Sequence, residues 1–212
     1  MQVVQNLQNL ANDFRQYIYD WHHKVETREP VPLEKLHIES ENLTPGLLYD
    51  PTSRSRFRRI IRALRRPSLE GFTFIDLGCG KGRVLLLASL YPFKKIIGVE
   101  FSPELAHTAE MNLNTYRPTS EQKCKNTSVV CLDAAHYKLP PGPLLIYMYN
   151  PFQDQVMKSI LSEIKRVLDA GTQDLYVAYL IPKLSQLLKN SSFLVPVHET
   201  PVFSIFKGQR TR

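Results

Sequence analysis

Apolar residues along this chain change their spacing several times, and each change marks an element. Val3, Val4, Leu7, Leu10, Ala11, Phe14, Ile18 and Trp21 recur at helical intervals, which predicts an amphipathic helix over roughly the first 24 residues. Residues 26–51 carry Pro30, Pro32, Pro45, Pro51 and Gly46 and read as a structured loop. Phe57, Ile60, Ile61 and Leu64 then share one face of a second helix, with Thr52 or Ser53 as its N-cap. From residue 72 onward, short apolar runs alternate with helical periods. Strands are expected at Phe72–Leu77, Lys95–Val99, Ser128–Leu132, Leu144–Met148 and Leu175–Ile181. Helices are expected at Arg83–Leu90, Pro103–Asn114, Gln155–Leu168 and near Pro182–Leu188. Phe193–Val197 and Val202–Phe206 close the chain as two strands with a turn between them.

Strands that alternate with helices predict an α/β fold whose parallel sheet is covered on both faces. The last two strands have no helix between them and should pair antiparallel. At 212 residues the chain suits one domain with a helical extension. We divide it at residue 52, with 1–52 as a substrate cover and 53–212 as the ligand-binding domain. Hydrophobic residues make up 43% and charged residues 22%, which excludes wholesale disorder. Cys79, Cys124 and Cys131 are the three cysteines, too few for a disulfide scaffold and without the Cys-x-x-Cys spacing of a zinc site. No apolar run reaches the ~18 residues of a membrane span, and the N-terminus does not read as a secretory signal. The expected compartment is the cytoplasm.

Charge adds one feature. The net charge is +7, and seven arginines fall within residues 54–66, a stretch with no acid. Most of them oppose the Phe57, Ile60, Ile61 and Leu64 face, so the second helix is basic and amphipathic. Two readings stand side by side: a solvated outer face, or a contact for something acidic such as RNA or an acidic protein. No aromatic residue is interleaved with the arginines on the polar face, so base stacking is not indicated.

The candidate chemistry starts at Phe74-Ile-Asp-Leu-Gly-Cys-Gly-Lys-Gly-Arg83, a strand, a glycine-rich turn and a helix. Ligands of open α/β sheets sit at the carboxyl ends of strands, and glycines let the backbone approach them closely. The spacing is Gly-x-Gly-x-Gly, not the Gly-x-Gly-x-x-Gly of a dinucleotide fingerprint. Glu100 ends the second strand, where an acid can bind ribose hydroxyls, and Asp133 follows the third, where one can accept a bond from an exocyclic amine.

Asp76, the glycine loop, Glu100 and Asp133, in this order, resemble the class I S-adenosylmethionine-dependent methyltransferases. The resemblance covers roughly residues 45–206 and implies a Rossmann-like, seven-stranded, mostly parallel sheet with an antiparallel last strand. It implies S-adenosyl-L-methionine as cofactor, held by Tyr49, Thr52, Asp76, Gly78, Cys79, Gly80, Gly82, Glu100, Phe101, Asp133, Ala134 and Asn150. Leu48-Tyr-Asp-Pro-Thr52 resembles a segment of bacterial members of that class and, more loosely, a Tyr-x-x-Thr-like segment of lysine methyltransferases of the disruptor-of-silencing type. The end of strand four, Tyr147-Met-Tyr-Asn-Pro-Phe152, resembles the Asp/Asn-Pro-Pro-aromatic motif of amino-methyltransferases, with one proline in place of two. By that likeness Asn150 orients an amine, Pro151 and Phe152 hold the substrate, and Tyr147 and Tyr149 add ring faces or hydroxyls.

The expected activity is methyl transfer to an amine, a protein lysine or terminal amine first, then a small molecule or RNA. Two rivals are a nicotinamide-dependent oxidoreductase, which would also use Glu100 on a ribose, and a non-catalytic cofactor-binding interaction protein. His22, His23 and Lys81 read as solvated residues, and Cys79 as a small loop residue.

Overall fold

The computed structural model describes residue 14 and residues 16–28, 51–66, 68–117, 122–149 and 152–210. Residues 16–23 are helical and are called α1. The elements that follow are α2 (Arg54–Ala63), β1 (Thr73–Leu77), α3 (Arg83–Ala88), β2 (Lys95–Glu100), α4 (Pro103–Thr115), β3 (Thr127–Cys131) and β4 (Leu144–Tyr149). Then come α5 (Asp154–Asp169), β5 (Leu175–Leu180), α6 (Ser185–Lys189), β6 (Leu194–Glu199) and β7 (Phe203–Gly208).

The seven strands form one sheet in the order β3-β2-β1-β4-β5-β7-β6. Strands β1 to β5 pair parallel, and β7 runs antiparallel to both β5 and β6. The inner strands are buried along their whole length, which is why they read as continuous apolar runs rather than alternating ones. The chain leaves β1 toward β2 and β4 toward β5, so its connections diverge at the β1–β4 junction, where open α/β sheets bind ligands.

Side chains from the two faces of the sheet form two cores. Phe74, Leu145, Tyr147, Tyr176 and Ile205 point to the side covered by α2, with Phe57 and Ile60, and by α3 and α4. Ile75, Ile146, Met148, Val177 and Phe206 point to the side covered by α5, with Val156, Ile160 and Ile164, and by α6. Ser53 is the N-cap of α2, and its hydroxyl accepts from the Arg56 N–H at 3.3 Å. Ser102 caps α4 in the same way, and Pro103 opens that helix, where its missing N–H costs nothing.

The apolar periodicity of the N-terminal helix does not mark its docked face. Phe14, Ile18 and Trp21 are exposed, together with Tyr17. The opposite side docks instead, through Tyr19, Asp20 and His23. Residues 1–13 and 29–50 of the proposed cover lie outside the described residues. Among the described residues no helix is long and apolar enough to cross a membrane.

Candidate active site

Strand β1 carries Asp76 near its carboxyl end, and the chain then turns through Gly78, Cys79, Gly80, Lys81 and Gly82 into α3. Gly78, Gly80 and Gly82 have φ of +81°, +52° and +81°, left-handed values that a side chain would strain. The N–H groups of Gly78 and Cys79 donate to the Val99 carbonyl at 2.8 and 3.0 Å, stapling the loop to β2. At the end of β2 the Glu100 carboxylate accepts from the Gly80 N–H at 2.8 Å and from the Ser102 N–H at 3.1 Å. Gly98 makes this closeness possible. A Cβ there would stand 2.6 Å from Cys79 Sγ and 2.7 Å from Leu85 Cδ1.

Two carboxylates are therefore buried beside the loop. Burial raises the pKa of Asp76 well above the ordinary value, and the nearby Glu100 raises it further. Burial also raises Glu100, while the N–H groups of Ser102, Gly80 and Phe101 pull it back. No cation contributes to either shift. Burial lifts the Cys79 thiol too, so it remains protonated and is no nucleophile. Past β3, Asp133 is half-buried and its Oδ1 accepts from the Ala135 N–H at 2.8 Å, with Ala134 buried beside it.

On the β4 side, Tyr147 and Tyr149 face α2 and Met148 faces α5, as alternation along a strand requires. Tyr147 is 1% exposed, with Phe57 and Phe74 against its ring. Its hydroxyl meets Thr52 Oγ1 at 2.8 Å, and burial holds it firmly protonated. The Tyr147 ring is part of the wall, and its hydroxyl fastens the start of α2 to the sheet. Tyr149 is half-buried and accepts from Arg56 Nη1 at 3.4 Å. Phe152 packs against the α5 side of the core. Tyr49, Asn150 and Pro151 lie outside the described residues.

Several residues around the loop carried no signal in the sequence. Lys81, expected to be solvated, is buried and paired with Glu26 at 2.5 Å. Asn112, buried in α4, donates to the carbonyls of Lys81 and Glu26 and accepts from the Glu26 N–H. Arg83, the first residue of α3, is buried against Asp20 at 2.9 Å and Thr27 Oγ1 at 2.7 Å, with its guanidinium 3.6 Å from the Tyr19 ring centroid. His23 is likewise buried, between Tyr19 and Tyr116, whereas His22 is exposed as expected. The segment around residues 19–27 thus braces the glycine loop and the start of α3. The Lys81–Glu26, Arg83–Thr27 and Arg83–Asp20 pairs join residues 55, 56 and 63 positions apart, beyond the reach of spacing arguments.

Comparison with known proteins agrees with the fold and the loop. Residues 74–171 match the model of a methyltransferase domain family. The ribosomal protein L11 methyltransferase of Aquifex aeolicus is 24% identical over 160 residues, which are 70% of this chain and 60% of that protein. The chain spans less than two thirds of the length of the curated relatives it matches, 27% of one from Anoxybacillus flavithermus and 60% of the Aquifex protein. Among solved structures, the 23S rRNA methyltransferase ErmE has a TM-score of 0.52 at 12% identity, covering 75% of this chain and 69% of that one. A TehB-like SAM-dependent methyltransferase from Corynebacterium glutamicum has a TM-score of 0.50 at 16% identity, covering 72% and 87%. These last two are likenesses of fold.

The sheet order, the glycine loop with its buried acids, and the family match define the class. The matched residues 74–171 form a methyltransferase domain on the class I S-adenosylmethionine-dependent sheet, and the cofactor of that class is S-adenosyl-L-methionine. The charges beside the loop fit this cofactor. Asp76 and Glu100 are buried without a cation among the described residues, and S-adenosylmethionine brings a sulfonium and an ammonium. Each Glu100 oxygen has lone-pair capacity left for a ribose hydroxyl. The Gly-x-Gly-x-Gly spacing of the loop differs from the Gly-x-Gly-x-x-Gly of a nicotinamide dinucleotide site.

Proposed function

We propose that this chain transfers the methyl group of S-adenosylmethionine to the nitrogen of an amine, with a protein lysine or terminal amine as the acceptor class. The observation that carries the reading is the pair of buried, unneutralised carboxylates, Asp76 and Glu100, closed around a left-handed glycine loop at the β1–β4 junction. When bound, the cofactor supplies an electrophilic methyl on a sulfonium that departs as a neutral thioether. In this reading Gly78, Cys79, Gly80 and Gly82 present backbone to it, and Glu100 with Phe101 takes the ribose. Asp133 and Ala134 flank the adenine, while Tyr49, Thr52 and Asn150 border the methionine end. Asn150 and Tyr149 orient the acceptor nitrogen, and Pro151 and Phe152 form its floor. Catalysis rests on positioning and on keeping water away from the neutral amine.

The name of the Aquifex relative, a ribosomal protein methyltransferase, supports a protein acceptor. Cys79, Cys124 and Cys131 are free thiols, which suits a reducing compartment and supports a cytoplasmic reading.

Calorimetric titration with S-adenosylmethionine, S-adenosylhomocysteine and NAD tests the cofactor half. Binding of the adenosyl ligands alone, lost in Glu100→Ala, is expected; NAD binding would overturn it. Labelling a ribosome-containing extract with radioactive methyl donor tests the acceptor half. Label released by protease is expected, and label released by nuclease would refute a protein amine.

A further inference from the structure

The structure sorts five of the seven arginines of residues 54–66. Arg66 is engaged with Asp174 at 3.3 Å and with the rings of Phe72 and Tyr176. Arg56 reaches Tyr149. Arg58, Arg59 and Arg62 are exposed and make no ion pair with any carboxylate among the described residues. At 3.6 residues per turn, Arg58 and Arg62 stand about 6 Å apart along the helix axis, and Arg59 is about 60° around it from Arg62. Like charges four residues apart repel, and no carboxylate among the described residues pairs with them.

The helix that presents them is rigid. Phe57 and Ile60 are buried beneath it, Ser53 caps it, and Thr52 and Arg56 tie its first turn to Tyr147 and Tyr149 at the carboxyl end of β4. The arginines therefore lie on a fixed rail that begins beside the proposed acceptor end of the sheet.

We propose that this face of α2 is a docking surface for the sugar–phosphate backbone of single-stranded RNA. Charge complementarity carries the choice. A nucleic-acid strand offers one phosphate per nucleotide at short, regular intervals, matching closely spaced guanidinium forks that bind phosphate in bidentate fashion. An acidic protein face mixes both signs and rarely sustains such a row. No aromatic ring is exposed on α2, so contact is with backbone and is independent of sequence. Docking here does not depend on which atom the enzyme methylates, and it is tested without cofactor.

The test is fluorescence anisotropy of the full chain with a labelled twenty-nucleotide uridine RNA, repeated from 50 to 200 mM salt. Three arginine–phosphate contacts predict a slope of log affinity on log salt of about −2, roughly a twentyfold loss over that range. Neutralising two of them in Arg58→Gln/Arg62→Gln should reduce the slope to about −0.7, less than a threefold loss, with S-adenosylhomocysteine binding and the circular dichroism spectrum unchanged. No binding at 50 mM salt, or a variant slope equal to the parent's, would overturn the proposal. So would competition by poly-glutamate as effective as by RNA of equal charge, which would assign the face to an acidic protein. Duplex DNA competing better than the single strand would overturn it as well.

Discussion

Asp20→Ala probes the brace that holds the N-terminal segment to the glycine loop. Asp20 takes Arg83 Nη1 at 2.9 Å, the Thr27 hydroxyl and N–H at 2.7 Å each, and the Arg28 N–H at 2.8 Å. The Arg83 side chain is 4% exposed and that of Asp20 13%. In the variant, Arg83 keeps Thr27 Oγ1 and the Tyr19 ring but has no counter-charge. Breaking a buried pair costs roughly 3–5 kcal/mol, against about 0–1 for an exposed one. Because water reaches the edge of Asp20, the lower end applies, about 3 kcal/mol. For a domain of this size that lowers the melting temperature by about 6–12 °C. If the segment detaches so that Arg83 can hydrate, the same loss is read as new trypsin cleavage after Lys24 and Arg28. The assay pairs a thermal melt with timed trypsin digestion read by mass. A melting temperature within 1 °C of the parent, with unchanged cleavage, would refute the reasoning. The double variant Asp20→Ala/Arg83→Met should recover more than half of the loss, because no bare charge remains. A double variant as unstable as the two singles summed would mean that packing, not charge, holds the segment.

Three further outcomes are expected. Tyr147→Phe leaves the hydroxyl of Thr52, 2% exposed, without its partner and should cost about 1–3 kcal/mol in urea unfolding, with recovery in Thr52→Val/Tyr147→Phe. Gly98→Ala forces Cys79 and Leu85 to shift, at a cost of about 1–3 kcal/mol, and by displacing the loop should weaken S-adenosylhomocysteine binding in calorimetry. His23 is held below its ordinary pKa of 6.5, chiefly by burial, so the folded chain prefers the neutral ring. Its contribution is therefore present above about pH 6.5 and lost as the pH falls below it, when the unfolded chain takes the proton first. Trypsin sensitivity at Lys24 should rise over that window in the parent and stay flat in His23→Gln.

Strand and helix order was legible because a period of two or 3.6 is a property of neighbouring residues. The buried inner strands announced themselves as apolar runs, and the absence of a helix between the last two strands implied their antiparallel pairing. The loop from Asp76 to Gly82 was legible for the same reason, since a strand, a left-handed turn and a helix start lie within ten residues. Glu100 and Asp133 were found by their positions at strand ends, where the parallel sheet brings them to one edge.

Other features depended on partners distant in the chain. Apolar spacing in the first helix named Phe14, Ile18 and Trp21, yet that helix docks through Tyr19, Asp20 and His23, because a buried Arg83 sixty-three positions away needs a counter-charge. Lys81 is a surface residue by type and a buried one by position, since Glu26 and Asn112 converge on its turn. Composition alone could not say which arginines of residues 54–66 have partners. That followed from Asp174 and the Phe72 and Tyr176 rings lying against Arg66, just past the end of α2. By itself, then, the sequence determined the α/β order, the glycine loop and the acids at the strand ends, all set by local backbone preference and apolar periodicity. Tertiary structure decided which helix face docks, which charges are neutralised and which tyrosine is wall, because burial and charge pairing are settled between segments that meet only in the folded chain.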